Sequence, residues 1–178
     1  MKLIKKAIKL ANAKIKNKEY KNGDDRYERI AKFYNTSCKV KSDEELEELC
    51  DLSVRGLEEL IDYQKYPVRA AEVATKARRS LGIGFIGLAH YLAKLGFNYD
   101  SQEAWNLVHQ LTEAFQYYLL KSSNQLAKEK GACGFFNRTK YSQGILPIDT
   151  YKQDVDELVP NELNYDWETL RNDIQVWG

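Results

Sequence analysis

The sequence predicts a mainly α-helical protein with at most one or two short strands. Three stretches carry that prediction. Ser42 and Glu45 form a capping box ahead of an apolar stripe, Ser101 to Lys130 keeps its apolar residues at helical spacing throughout, and Asp166 suits an N-cap before W-E-T-L-R-N-D-I.

Length and composition bound the rest. The 178 residues suffice for one domain with a real core and are too few for two ordinary ones. Hydrophobic residues make up 43% and charged residues 30%, a balance that supports folding; with a mean hydropathy of −0.59 it excludes an integral membrane protein. The three cysteines, Cys38, Cys50 and Cys133, are odd in number and widely spaced, and neither His90 nor His109 lies near one, so no disulfide framework or zinc signature can be drawn. A reducing cytoplasm is the expected location. Charge is divided unevenly: residues 1–39 hold 12 basic and 4 acidic side chains, leaving 15 basic and 22 acidic in the remainder, so the head is +8 and the body −7. Such asymmetry marks a nucleic-acid or membrane arm, or two pieces of different origin.

The elements follow in chain order. Ile4, Ala7, Ile8, Ala11 and Ile15 among lysines read as a short basic amphipathic helix, without the long apolar run of a secretory signal. Asn22-Gly23-Asp24-Asp25 breaks it, and Asp25 to Tyr34 can resume as a turn or two of helix. The capping box starts a helix at Asp43 whose stripe is Leu46, Leu49, Cys50, Leu57, Leu60 and Ile61, ending before Pro67. Its acidic opening, D-E-E-L-E-E, suits the helix dipole and reads as a solvated face rather than a carboxylate metal site. Pro67 to Arg79 reads as helix again. From Ser101 the strongest signal sets Val108, Leu111, Phe115, Tyr118, Leu119 and Leu126 on one side of a helix that stops at Gly131. A turn-rich aromatic stretch follows, then the last helix after Asp166.

Between these lies R-R-S-L-G-I-G-F-I-G-L-A-H-Y-L-A-K-L-G, in which Gly82, Gly84 and Gly87 have the G-x-G-x-x-G spacing of a dinucleotide-binding turn. The context disagrees. The lead-in A-T-K-A-R-R-S is polar and helix-like, only Leu81 to Ile83 could be a strand, and the position about 20 residues past Gly87 falls inside the long helix rather than on an acidic strand end. The expectation is instead a helix buried nearly all round, with Phe85, Leu88, Leu92 and Leu95 on one face, Ile86, Ala89 and Ala93 widening it, and glycines that let neighbouring backbone approach closely. His90 falls on its flank as a rim residue. Arg78-Arg79 could meet phosphate, though adjacent arginines are a weak signal. The N-R-T at Asn137 matches a glycosylation acceptor, which has no meaning in a cytosolic chain.

The stretch A-T-K-A-R-R-S-L-G-I-G-F-I-G-L-A-H-Y-L-A-K-L-G, together with F-Q-Y-Y-L-L-K-S-S-N-Q-L-A-K-E-K-G-A-C and G-I-L-P-I-D-T-Y, closely resembles the large (alpha) subunit of class I ribonucleotide reductase, in a form like that of tailed phages. The resemblance covers about Val40 to Gly178. It divides the chain into residues 1–38, a basic extension without resemblance, and residues 39–178, a partial catalytic domain. It implies a helical slice of the family's α/β barrel, and a role in deoxyribonucleotide synthesis for DNA replication.

The resemblance assigns no catalytic, cofactor-binding or metal-binding residue to this chain. The family's radical cysteine sits in N-x-C-x-E, and Cys38 in Y-N-T-S-C-K-V has neither the asparagine nor the glutamate. The family's relay tyrosine pair lies further toward its C-terminus, so Tyr117-Tyr118 is not that pair, and its phosphate loop would follow shortly after Gly178. The assembled family enzyme uses a small-subunit radical cofactor, ATP or dNTP effectors and a dithiol reductant, none of them held by this chain.

The resemblance implies as partners other large-subunit fragments and the radical-generating small subunit, with no membrane and no nucleic acid. The isolated chain is expected to be inactive. Exposed faces of Leu57, Leu60, Ile61 and of the Val108 to Leu126 stripe are the expected docking surfaces. Two other readings stay open at this point: a stand-alone helical module whose basic head contacts nucleic acid, and a non-functional gene remnant.

Overall fold

The computed structural model describes residues 43–158 and 162–178. The basic head, with Cys38 and the capping Ser42, lies outside the described residues. Five α-helices follow one another: α1 (Asp43–Tyr63), α2 (Arg69–Arg78), α3 (Leu88–Lys94), α4 (Gln102–Lys130) and α5 (Trp167–Trp177). Short 3-10 turns at Phe136–Arg138, Tyr141–Gln143, Pro147–Asp149 and Gln153–Glu157 link α4 to α5. No strand occurs among the described residues, as the mainly helical reading requires.

The helix boundaries obey local chemistry. α1 begins at Asp43 with Asp43, Glu44 and Glu45 in its first turn, where the exposed N–H groups favour negative charge. α4 opens on Ser101, whose hydroxyl accepts from Ala104 N at 3.3 Å, and closes at Gly131, whose φ of 88° suits a residue without Cβ. Asp166 caps α5, its carboxylate accepting from Thr169 N at 3.0 Å and the Thr169 hydroxyl at 2.6 Å.

α4 is the spine, and it buries two faces rather than the one stripe expected. Leu111, Phe115, Tyr118, Ser122 and Leu126 recur at spacings of 4, 3, 4 and 4 residues. On this side Ala114 and Tyr118 pack with Leu46 and Cys50 of α1. Glu113, Tyr117, Leu120 and Asn124 form a second row at the same kind of spacing, and Tyr117 and Leu120 pack against Leu146, Trp167, Leu170 and Ile174. Tyr117 and Tyr165 belong to both clusters and join them.

Charged pairs fix the register of α1 on α4. Lys121 meets Glu47 at 2.7 Å, and Arg55 forks onto both oxygens of Glu129 at 2.6 and 2.8 Å. Lys130 meets Glu59 at 2.8 Å. The partners advance together along both helices, so α1 and α4 run in the same direction. These exposed pairs orient more than they stabilise.

Two expectations are corrected. The faces expected to be free for docking are largely the core itself: Ile61, Tyr118 and Leu126 are buried, and Leu57 and Leu60 are half-buried. An apolar stripe read from sequence marks a face that something covers, and here α1 and α4 cover each other. The helix after the glycines is the opposite case. It has seven residues and buries only Leu92, while Phe85, Ile86, Tyr91 and Leu95 stand exposed, Ile86 fully. Periodicity reports that side chains are apolar, not that a neighbour is present to bury them. Leu81 to Ile83, which could have been a short strand, is assigned no regular structure.

Candidate functional site

The glycine segment has none of the geometry of a nucleotide cradle. Gly87 is the N-cap of α3 at φ 89°, ψ 16°, left-handed backbone that only glycine adopts cheaply. A Cβ added at Gly82, Gly84 or Gly87 would meet nothing within 4 Å, so the expected close approach of neighbouring backbone is absent and Gly87 is explained by its φ alone. Gly87→Ala is expected to cost about 1 kcal/mol, the penalty of a left-handed alanine, whereas Gly84→Ala is expected to be close to neutral. Thermal melts of the two variants check this. Calorimetric titration of the chain with ATP, dATP or NAD is expected to show no micromolar isotherm, with or without Gly87→Ala.

The arginines ahead of the glycines are already engaged. Arg79 donates from Nε to Glu58 at 2.5 Å and from Nη2 to Asp62 at 2.7 Å. The Asp62 carboxylate, then Glu58, raises its pKa further above the ordinary guanidinium value, and Asp62 in turn is held below the usual carboxylate range by Arg79. Arg79 sits at φ 48°, the only left-handed non-glycine among the described residues, a conformation the two acids hold in place. Arg78 lies 5.1 Å over the Phe135 ring, whose other neighbour Arg138 lies at 4.5 Å. Arg79 is neutralised by its two acids, whereas Arg78 is exposed and keeps its charge over the Phe135 ring.

Beside them opens a cleft of about 470 Å³ lined by Val54, Arg79, Leu81, Ile83, Gln116 and Phe136, with Cys133 at its wall. Its lining mixes aliphatic surface with amides, hydroxyls and the charges of Glu58, Arg78, Arg79 and Lys130, and of these Arg79 is neutralised from behind by Glu58 and Asp62. Cys50 is buried, and burial followed by the charge of Glu47 pushes its thiol up to about 12; it is an inert core thiol rather than a nucleophile. No group of three or more His, Cys, Asp or Glu among the described residues is placed to hold a metal ion. His90 is exposed at the rim of α3, and the N-R-T asparagine lies in the first 3-10 turn.

The most organised polar centre escaped the reading of the sequence. Glu113, buried in the second row of α4, accepts from Asn164 N at 2.7 Å and Asn164 Nδ2 at 2.9 Å. It also accepts from Tyr165 N at 3.3 Å and Trp167 Nε1 at 3.1 Å. Burial alone would raise its pKa; the donors from Asn164, Trp167 and Tyr165 outweigh it and hold the carboxyl below its ordinary value. The signal was present: Glu113 and Asn124 are polar residues in an inward row, and Asn124 likewise finds a partner, donating to Gly178 O at 2.9 Å. Around Glu113 the rings of Tyr117, Tyr118, Tyr165 and Trp167 touch, with Tyr117 stacked on Tyr165 at a centroid distance of 4.7 Å. The arrangement organises structure, and nothing in it is a nucleophile or an acid–base pair.

Arg171 of α5 makes the other clamp. It donates to Gly144 O and forks onto Asp149 at 2.5 and 2.9 Å, while Asp149 also accepts from Leu146 N at 2.7 Å. This ties the G-I-L-P-I-D turn, one of the stretches that carry the family resemblance, to the last helix.

The comparisons with known proteins agree with the motifs. A family model described as ribonucleotide reductase, barrel domain, matches residues 29–178, starting ahead of Val40 where the motif resemblance begins. A ribonucleoside-diphosphate reductase subunit alpha from Haemophilus influenzae is 59% identical over 126 residues, 71% of this chain and 17% of the relative. The corresponding protein of Escherichia coli is 56% identical over 118 residues, 66% of this chain and 16% of the relative. That of Enterobacteria phage T4 is 43% identical over 136 residues, 76% of this chain and 18% of the relative. The chain therefore spans less than a fifth of the length of these relatives. Built as a helical slice around α4 and matched over residues 29–178, this chain belongs to the ribonucleotide reductase barrel-domain family.

Proposed function

We propose that this chain is one part of a class I ribonucleoside-diphosphate reductase large subunit, and that it contributes to deoxyribonucleotide synthesis only when joined to the rest of that subunit. The observation that carries the reading is an apolar surface with no cover. Phe85, Ile86, Tyr91, Leu95 and Tyr99 are exposed on and around α3, in and next to a segment, residues 80–86, that makes no backbone hydrogen bond within the described residues. Exposed apolar side chains gathered along one short stretch of chain suit an interface, and the greater part of the relatives' length has no counterpart here to supply the other side.

In this role the chain is scaffold. Glu113, Arg79 and Arg171 fix its loops on α4, α1 and α5. The reaction's radical chemistry, the small-subunit radical cofactor, the nucleotide effectors and the dithiol reductant belong to the assembled enzyme, in the cytoplasm of the host if the gene is a phage's. The isolated chain is inactive toward ribonucleoside diphosphates. The basic head ahead of the family match is an appendage that docks on protein rather than on DNA.

Co-expression with the remaining large-subunit polypeptide tests this. The two are expected to co-purify, and amide hydrogen exchange in residues 80–99 is expected to slow sharply in the complex. Separate elution with unchanged exchange in that segment would remove the reading.

A further inference from the structure

Four redox-active rings form an unbroken array through the core. Trp167 lies 5.3 Å from Tyr117, Tyr117 lies 4.7 Å from Tyr165, and Tyr165 lies 5.3 Å from Tyr118, all between ring centroids. Trp167 and Tyr165 differ in what their protons can do. Trp167 Nε1 donates to Glu113, which already accepts three other hydrogen bonds and is held below its ordinary pKa, a poor proton acceptor. The Tyr165 hydroxyl donates at 3.2 Å to Asp43, an exposed carboxylate in the first turn of α1. Tyr165 itself is kept neutral, burial first and then Tyr118 and Asp43 pushing its phenol well above the ordinary value. Cys50, in the same core, has among the described residues the Phe115 carbonyl at 4.0 Å as its one acceptor.

We propose that this array is a route for one-electron oxidation, carrying an electron vacancy created at Trp167 through Tyr117 to Tyr165, where it comes to rest as a phenoxyl radical. The steps balance as follows. A one-electron oxidant such as the azidyl radical takes an electron from Trp167, becoming azide and leaving the indole as a radical cation whose proton stays on the bond to Glu113. An electron then passes from Tyr165 by way of Tyr117 and restores the indole. Tyr165 loses its O–H proton to the Asp43 carboxylate in the same step, giving a neutral phenoxyl radical and a protonated Asp43. A one-electron reductant of the ascorbate class returns the electron, and the proton comes back from Asp43. The low-dielectric core around the rings favours neutral end states over a buried cation, which sets the direction from Trp167 to Tyr165. The proposal does not depend on the proposed function: it follows from ring contacts and two carboxylates within this chain.

Pulse radiolysis of the full chain with azide tests it, in a Trp105→Phe/Trp177→Phe background that leaves Trp167 as the one tryptophan of three. The indolyl absorption is expected to decay as the phenoxyl absorption grows, at a rate independent of protein concentration and slower in deuterated water. Tyr165→Phe is expected to slow that growth. Asp43→Asn, which leaves every ring in place at an exposed position, is expected to slow it about tenfold, the worth of one hydrogen bond to a charged acceptor. A rate that scales with protein concentration, or one unchanged in Asp43→Asn, would overturn the proposal, whatever Tyr165→Phe does to folding.

Discussion

Glu113→Ala is expected to destabilise the chain by about 3–5 kcal/mol, because it strands the Asn164 and Tyr165 amides and the Trp167 indole N–H without an acceptor in the core. Glu113→Gln keeps an acceptor oxygen but turns an amide donor toward Asn164, and is expected to cost about half as much. Chemical denaturation of the three proteins checks the order. The same residue shares in the acid response. Glu113 has a lowered pKa in the folded chain, as do Asp62, Asp149 and Glu129, the last at about 2 through Arg55 and then Gln125. A carboxylate with a lowered folded pKa contributes stability that is present above its unfolded value of about 4 and lost as pH falls through the folded one. Stability is therefore expected to fall steadily below pH about 4 and to keep falling toward pH 2. Salt should weaken the exposed pairs and leave the Glu113 share. An acid midpoint that does not move in Glu113→Ala would show that the buried carboxylate has no share in the response.

Trp167→Ala is the second large effect, expected at about 3–5 kcal/mol for a fully buried indole whose removal leaves a cavity between α4 and α5. Trp167→Phe fills most of that space and deprives Glu113 of one of its four donors, so it should cost roughly 1 kcal/mol. The two sites share one network, so the double variant Glu113→Ala/Trp167→Ala is expected to lose less than the sum of the single variants. Additive losses in equilibrium melts would mean that the indole N–H bond to Glu113 contributes nothing of its own.

Helix positions were legible in the sequence where the chain carries its own stop and start signals. Ser101, Gly131 and Asp166 act through hydrogen bonds or backbone conformation a few residues away, so their effect does not depend on the rest of the molecule. Burial was legible only in part. The stripes of α1 and α4 were recognised, but whether a stripe is core or surface depends on which elements reach it, and local sequence has no record of that. The α3 face shows the same limit from the other side, since its leucines and aromatics have the pattern of a buried helix and stand exposed here. Glu113 was passed over because a lone acid among apolar residues reads as a solvated position until the donors of residues 164–167, some fifty positions on, are known to fold over it. The polar, helix-like lead-in to the glycine motif was legible in the sequence, whereas the turn of Arg79 to Glu58 and Asp62 was not.

The most direct test of the account is turnover. Purified small subunit and the remaining large-subunit polypeptide are mixed with a ribonucleoside diphosphate, an effector nucleotide and a dithiol, with and without residues 1–178, and deoxyribonucleotide is measured. The account predicts product only when this chain is present, and none from this chain with the small subunit alone. Full turnover without it, or any turnover from it and the small subunit alone, would contradict the account.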